Sequence, residues 1–247
     1  MPHFFIKSDN VFTDKEKTIV TISDTETYRH LVKSRRSKVG EKILLIDEQK
    51  KQYETRIIEI NSSDVVLEVE KSYKSKRELG FELVLAQSPL RSDAQSLIME
   101  KATELGASEV YPIMTDNCAV AKDVVNKKIE RWQKIMVEAS KQCERASIPK
   151  CNKPCSLDEV LEKGFDKVLA FCERNTELSS KKYLEKNPIL KDEKVLVIIG
   201  PEGGFSKAEF ETLSANNIPM ITLGDLILKA ETAVIVALGN LVYEFVG

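Results

Sequence analysis

The residues best placed to do chemistry follow the apolar run Val195–Ile199, where the chain reads Gly200-Pro-Glu-Gly-Gly204. Two adjacent glycines let the backbone itself approach a ligand, and Glu202 adds one carboxylate. The loop lacks the G-x-G-x-x-G spacing of dinucleotide-binding folds and the G-K-[ST] ending of a P-loop. Pro201 also removes an amide donor, so the loop is poorly suited to a phosphate. It predicts close backbone contact with another kind of ligand, or else a tight turn with no ligand.

A second apolar run, Pro219–Gly224, also ends in glycine and leads into a very apolar terminal helix. Two strand exits close together indicate a pocket at the carboxyl edge of a parallel sheet. The segment after Gly224 mixes apolar and charged residues, namely Leu226, Ile227, Leu228, Lys229 and Glu231. Its apolar members suit the walls of a pocket for a flat aromatic ring. The alternative is that they only fill the core below the last helix.

The elements before residue 74 are short strands rich in β-branched residues and separated by Asp, Asn, Ser and Gly. They favour a small β-barrel domain over residues 1–73, a shape that often binds nucleic acid. The polar stretch Lys71–Gly80 predicts a linker. The predicted strands are Phe4–Ile6, Thr18–Ile22, Lys42–Ile46, Tyr53–Ile60 and Val65–Val69, with one helix over Thr25–Ser34.

Residues 74–247 alternate between predicted strands and helices, which predicts an α/β domain with a parallel sheet covered by helices. The strands are Phe81–Ala86, Val110–Met114, Val168–Phe171 and Val195–Ile199. The helices are Ala94–Leu105 before Gly106, Asn126–Ala146, one that begins at the capping box Ser206–Glu209, and Thr232–Phe245. The last helix is apolar on nearly all sides, so we expect it to be buried or shared with a second subunit.

Charge and composition are those of an ordinary globular protein. The net charge is −2 over 247 residues, so no global basic field indicates a nucleic-acid partner. Local clusters at Lys33–Lys38 and Lys74–Arg77 can supply a basic patch, or can simply be solvated faces. No apolar run reaches membrane-spanning length.

The five cysteines are an odd number without a signal peptide, which favours reduced thiols in the cytoplasm. Cys151 and Cys155 are four residues apart. The two histidines, His3 and His30, lie far from them, and no second close cysteine pair exists. We therefore expect no metal site.

Four motifs in chain order resemble those of the RsmE-type 16S rRNA (uridine-N3)-methyltransferases. They are Glu100–Gly106, Glu138–Pro149, Ile199–Ser206 and Leu223–Ala233. The resemblance runs over the whole chain and implies an N-terminal PUA-like barrel and a C-terminal SPOUT domain with a deep trefoil knot. It also implies a homodimer that binds S-adenosylmethionine in the knot and methylates a uridine of 16S rRNA in the small ribosomal subunit.

By this resemblance, the cofactor contacts three strand exits. The implied residues are Leu169, Ala170, Phe171, Ile199, Gly200, Pro201, Glu202, Gly203, Gly204, Leu223, Gly224, Leu226, Ile227, Leu228 and Thr232. The chain departs from the family where arginines are usual, at His3, Asn117, Leu226 and Lys229. The candidate residues for contact with RNA are therefore Arg35, Arg36, Arg91 and Arg145.

Methylation at uridine N3 requires a group that accepts the N3 proton and a cation that stabilises the charge on the uracil oxygens. Glu202 and Glu231 are the candidate acceptors, although a structural role for each carboxylate stays open. Lys229 and Arg145 are the candidate cations. Because N3 lies on the pairing edge of the base, the target uridine must be unpaired or extruded.

Three other functions remain open at this point. A nucleotide-dependent oxidoreductase also places glycine loops at strand ends, but the missing G-x-G-x-x-G argues against it. An RNA-binding protein without catalysis fits the missing arginines, and the intact glycine loops argue against that. A SPOUT enzyme with another RNA position or a ribose oxygen as its target is the third.

Overall fold

The structure is a computed structural model that describes residues 2–14, 17–75, 77–173 and 178–246. The chain forms two compact units. The first comprises residues 1–78 and 141–147, and the second comprises residues 79–140 and 148–247. Lys76, part of one predicted basic cluster, lies outside the described residues.

The first unit is built on a six-stranded sheet with the order β1-β4-β5-β6-β3-β2. Strand β1 pairs with β4 in parallel, and the other neighbours are antiparallel. The strands are β1 His3–Phe5, β2 Val11–Thr13, β3 Thr18–Ile22, β4 Lys42–Ile46, β5 Lys51–Ile60 and β6 Val65–Lys74. A 3₁₀ turn covers Ser8–Asn10, and helix α1, Thr25–Tyr28, continues as a π-helical segment over Arg29–Ser34.

One face of this sheet holds the core of the first unit. Alternate residues such as Ile43, Leu45 and Tyr53 point to that face and pack with Leu31 from the π-helical segment. Two sequence expectations were wrong. Strand β2 was not expected, and β6 runs through Lys71–Lys74, where a linker was expected, because those residues pair with β5.

The elements from residue 79 onward alternate between strand and helix. The strands are β7 Glu82–Gln87, β8 Glu109–Pro112, β9 Lys150–Cys151, β10 Lys167–Phe171, β11 Lys194–Ile199 and β12 Met220–Ile221. The helices are α2 Ser92–Glu104, α3 Lys122–Gln142, α4 Leu157–Leu161, α5 Ser180–Lys186, α6 Lys207–Ala215 and α7 Ala230–Val246.

The second sheet has the order β12-β10-β11-β7-β8-β9, and every neighbouring pair is parallel. This confirms the predicted α/β fold with a parallel sheet. Because parallel strands all end at the same edge, the loops after β10, β11 and β12 leave the sheet side by side.

Helices cover both faces of this sheet, and the strands are accordingly apolar at consecutive positions. On one face, Leu85 and Val197 pack in a core that also contains Val234 and Leu238 of α7. On the other face, Ala86 and Ile198 pack with residues of α4 and α6. None of the helices that the structure describes is long and apolar enough to cross a membrane.

Candidate functional site

A cavity of about 680 Å³ lies at the carboxyl edge of the second sheet. Its walls come from the three neighbouring strand exits, with further contributions from the start of α7 and from α6. The lining residues are 171–173, 199–205, 222–224 and 226–231, with Phe210 and Ala233. The two glycine-bearing exits that the sequence singled out therefore meet at one site.

At three glycines of the loop after β11, a side chain would be strained or crowded. Gly204 has φ +73°, a conformation that L side chains rarely adopt. A Cβ on Gly203 would lie 3.2 Å from Cβ of Asn117, and a Cβ on Gly200 would lie 3.1 Å from the ring of Phe205. The loop therefore presents backbone to the cavity.

Three hydrogen bonds join this loop and the start of α6 to the segment that follows β8, and a fourth closes the start of α6 on itself. Asn117 Nδ2 donates to the Gly204 carbonyl at 3.0 Å, and Ser206 Oγ donates to Asp116 Oδ2 at 2.5 Å. The carboxylate of Glu209 accepts from the backbone N–H of Asp116 at 2.9 Å and from that of Ser206 at 2.8 Å. The last of these bonds belongs to the predicted capping box, which is confirmed.

The loop after β12 is held by the side chain of Thr222, which is part of the loop. Thr222 Oγ1 donates to the Gly224 carbonyl at 2.9 Å and accepts from the Gly224 N–H at 3.2 Å. Beyond this turn, Leu226 and Ile227 are 80% and 61% exposed. Two apolar side chains therefore stand in solvent at the cavity, where they can cover a bound ligand.

The ionisable lining is predominantly acidic. Glu173, Glu202 and Lys229 are exposed and Glu231 is half-buried. Burial raises the pKa of the Cys172 thiol to about 12, so this cysteine stays protonated near neutral pH and is a poor nucleophile. Excess negative charge around a cavity favours a positively charged ligand.

Comparison with known proteins identifies the family. The family model for the RNA methyltransferase domain matches residues 77–242, and that for the RNA methyltransferase PUA domain matches residues 22–70. Ribosomal RNA small subunit methyltransferase E of Rickettsia conorii is 31% identical, with 85% of this chain and 84% of that protein covered. This chain belongs to the ribosomal RNA small subunit methyltransferase E family.

The chain is also similar to a second enzyme of this family and to a solved methyltransferase structure. The enzyme of the same name from Bacillus subtilis is 28% identical, with 89% of this chain and 88% of that protein covered. The protein Lpg2936 of Legionella pneumophila, solved with bound S-adenosylmethionine, has a TM-score of 0.80 and 25% identity, with 97% of this chain and 96% of that chain covered. The match of the PUA family model to residues 22–70 confirms the PUA domain that the resemblance implied.

Most of the predicted cofactor residues of this family member line the cavity. The lining members are Phe171, Ile199, Gly200, Pro201, Glu202, Gly203, Gly204, Leu223, Gly224, Leu226, Ile227 and Leu228. Leu169 and Ala170 are fully buried in β10, and Thr232 is exposed on α7. These last three do not line the cavity.

The structure separates the catalytic candidates into two groups. Glu202, Lys229 and Glu231 all line the cavity. Arg145 belongs to the first unit, where its side chain is 6% exposed and its Nη2 atom lies 3.1 Å from Glu78 Oε2. Its guanidinium therefore belongs to a buried ion pair.

The candidate RNA-binding arginines lie in different surroundings. Arg35 donates to Glu41 Oε1 at 2.9 Å, and this hydrogen bond holds the pKa of Glu41 below its ordinary value. Arg36 is exposed with φ +54°, and Arg91 is exposed immediately before α2. The role of Arg35, Arg36 and Arg91 in RNA binding stays a prediction.

Several lining residues were missed from the sequence. They are Cys172, Glu173, Phe205, Phe210, Thr222, Ala230 and Ala233. Cys172 and Glu173 directly follow a predicted strand, so their position alone was a usable signal. Phe205 and Phe210 meet edge to face at 5.9 Å as the residues N′ and N4 around the Ser206 N-cap, and this hydrophobic staple is a local signal that could have found them.

Proposed function

We propose that this protein transfers a methyl group from S-adenosylmethionine to N3 of a uridine in 16S rRNA. The observation that supports this most directly is the cavity at three neighbouring strand exits in a chain of this family. The relatives that carry the family name are methyltransferases of small-subunit rRNA. The uridine target and the attacked nitrogen come from the resemblance of the four motifs.

The residues of the cavity fit S-adenosylmethionine. A volume of about 680 Å³ is within the usual range for small-molecule sites. Leu223, Leu226 and Leu228 provide apolar surface for an adenine ring, and the excess of carboxylates suits a cation. When bound, the cofactor supplies an electrophilic methyl group on a positively charged sulfur.

The chain's own part in the reaction is to hold the uracil edge and to remove one proton. Glu202 and Glu231 are the two carboxylates of the cavity that we assign to this proton, one of them as the acceptor. We assign the stabilising cation to Lys229, which shares the cavity with them. Arg145 is the weaker candidate because it already pairs with Glu78.

The same proposal covers the assembly and the setting of the enzyme. Tyr243 and Val246 of α7 are 78% and 72% exposed, which supports a homodimer that forms on this helix. We also propose a deep trefoil knot around the cofactor, a barrel domain over residues 1–73, a cytoplasmic location, and RNA contacts from Arg35, Arg36 and Arg91. The rRNA substrate is part of the small ribosomal subunit.

The test uses methyl-labelled S-adenosylmethionine and small ribosomal subunits that lack the modification, followed by reverse transcription. Methylated N3 cannot pair, so we expect label in the rRNA together with a stop at one uridine. Glu202→Gln and Glu231→Gln identify the proton acceptor, since only its replacement lowers kcat. Label without a stop would show a different target atom, and cofactor binding without label would contradict the proposal.

A further inference from the structure

The loop after β11 forms one wall of the cavity. It is hydrogen-bonded to a segment that is not one of the three strand exits. Its partner is segment 113–120, which follows β8, and β8 is separated from β11 in the sheet by β7. Segment 113–120 contributes no residue to the cavity lining. Its hydrogen bonds to the loop are therefore not explained by direct contact with a ligand.

The chain contains a second capping box, at α4, which shows what helix capping alone requires. Comparing it with the box at α6 shows which contacts of Glu209 serve another purpose. At α4, Ser156 N donates to Glu159 Oε2 at 2.7 Å, and Glu159 N donates to Ser156 Oγ at 3.1 Å. At α6, Ser206 and Glu209 form the same pair of bonds at 2.8 and 3.3 Å. The two boxes have the same sequence form and the same local geometry.

Glu209 differs from Glu159 in two respects. Its Oε1 atom accepts a further bond from the Asp116 backbone at 2.9 Å, and its side chain is buried, whereas Glu159 is exposed. Capping therefore requires neither the additional bond nor the burial. Both features belong to the attachment of the loop.

A carboxylate is the appropriate group for this double role. Its two oxygens can each accept from a different backbone N–H, and bonds to a charged acceptor are stronger than neutral ones. A glutamine at the same place offers one acceptor oxygen and turns an NH₂ group toward the other donor. The substitution Glu209→Gln therefore breaks one of the two attachments with little change in volume.

We propose that Glu209 is a positioning residue of the cofactor site. By accepting from Asp116 and Ser206 together, it fixes the glycine loop in the shape that binds S-adenosylmethionine. The bonds from Asn117 to Gly204 and from Ser206 to Asp116 act in the same direction. This inference rests on the proposed function, because it names the ligand of the same cavity.

The test compares Glu209→Gln with its matched control Glu159→Gln. Calorimetric titration gives the Kd for S-adenosylmethionine, and thermal melting gives the stability of each variant. We expect Glu209→Gln to raise the Kd about tenfold, the loss of roughly one charge-assisted bond, with KM raised and kcat unchanged. Glu159→Gln leaves the Kd unchanged. An unchanged Kd in folded Glu209→Gln would overturn the inference.

A second pair of variants leaves Glu209 intact, in case its replacement prevents folding. Asp116→Ala combined with Asn117→Ala removes both other side-chain bonds to the loop, and we expect it to raise the Kd. The control is the single variant Asp116→Asn, which keeps both an acceptor oxygen for Ser206 and the side chain of Asn117. We expect its Kd to equal that of the wild type. Equal Kd values for the double variant and the wild type would overturn the part assigned to the side chains of Asp116 and Asn117, with the positioning then carried by Glu209 alone.

The ligand-free protein separates this inference from the proposed function. Hydrogen exchange is expected to be faster in Glu209→Gln than in the wild type at the amide, of Asp116 or of Ser206, that the glutamine leaves without an acceptor. Failure of the wild type to bind S-adenosylmethionine would overturn the proposed function, even with these amides protected. Binding by the wild type together with rapid exchange of both amides would overturn only the role of Glu209.

Discussion

Gly204 and Gly164 have nearly the same backbone conformation, with φ +73° and +74°, and neither has an atom within 4 Å of the place of a Cβ. Only Gly204 lines the cavity. Alanine at such a φ costs about 1–2 kcal/mol, so we expect Gly204→Ala and Gly164→Ala to lower the free energy of unfolding equally. Chemical denaturation measures this loss.

Binding distinguishes these two glycines. The loop around Gly204 presents backbone to the cavity, so Gly204→Ala is expected to weaken binding of S-adenosylmethionine, and Gly164→Ala is not. Calorimetric titration measures the difference. Equal Kd values for the two variants would show that the glycine at position 204 serves only the turn.

His3 predicts a pH dependence of stability. It is 6% exposed, and neither ring nitrogen has a hydrogen-bond partner among the residues that the structure describes. Burial, and secondarily the charge of Arg77, lowers the pKa of His3 to about 4. The unfolded chain binds this proton near pH 6.5, so the stability present above that pH is lost as the pH falls toward 4.

The expected loss from His3 between these pH values is about 3 kcal/mol. Urea unfolding of the wild type and of His3→Phe, at pH 7 and pH 4.5, isolates this contribution because phenylalanine does not titrate. The difference in stability between the two proteins should change with pH by most of that amount. If the difference in stability between the two proteins were the same at both pH values, His3 would have the same pKa in the folded and the unfolded chain, which would contradict the prediction.

Single residues also mark the limit of what the sequence predicts about the site. The glycines at positions 200, 203 and 204 were identified because their type and spacing are local properties. The bond between Glu209 and Asp116 joins residues 93 positions apart, and no local pattern contains it. The sequence thus predicted the groups that line the cavity better than those that hold the lining in place.

At the scale of elements, α3 buries one face through Val125, Trp132, Met136 and Ala139. Trp132 is 2% exposed and is the single tryptophan of the chain. We expect Trp132→Ala to lower the free energy of unfolding by about 3–5 kcal/mol. Trp132→Phe refills part of the volume and should lose less, and urea unfolding followed by circular dichroism compares the two.

Several apolar runs were predicted as strands, whereas the helix predicted over Asn126–Ala146 lies four residues earlier, at Lys122–Gln142, and several short elements were missed. The β-branched runs gave β3 and β4 with their observed bounds. Strands β2 and β9 have three and two residues, and helix α4 has five, which is too short for a periodic pattern to emerge. Their conformation is fixed by distant neighbours, as when β9 pairs with β8.

At the scale of the whole molecule, each unit has a hydrophobic core of its own, and the cavity belongs entirely to the second unit. Ligand at 100 times its Kd stabilises the folded state that binds it by about 2.7 kcal/mol. We therefore expect S-adenosylmethionine to slow hydrogen exchange in the sheet β7–β12 and not in β1–β6. Equal slowing in both sheets would show that the units unfold together.

The order of strands in the second sheet has a consequence for synthesis of the chain. Strand β7 pairs with β11, and Leu83 lies opposite Val195, so one edge of β7 stays without its partner until β11 has been made. That interval is roughly 110 residues, or about 5–20 s at ordinary translation rates. Throughout it, the apolar run Leu83–Ala86 lacks the neighbour that covers one of its edges in the folded sheet, so we expect this run to be a site of chaperone binding during synthesis.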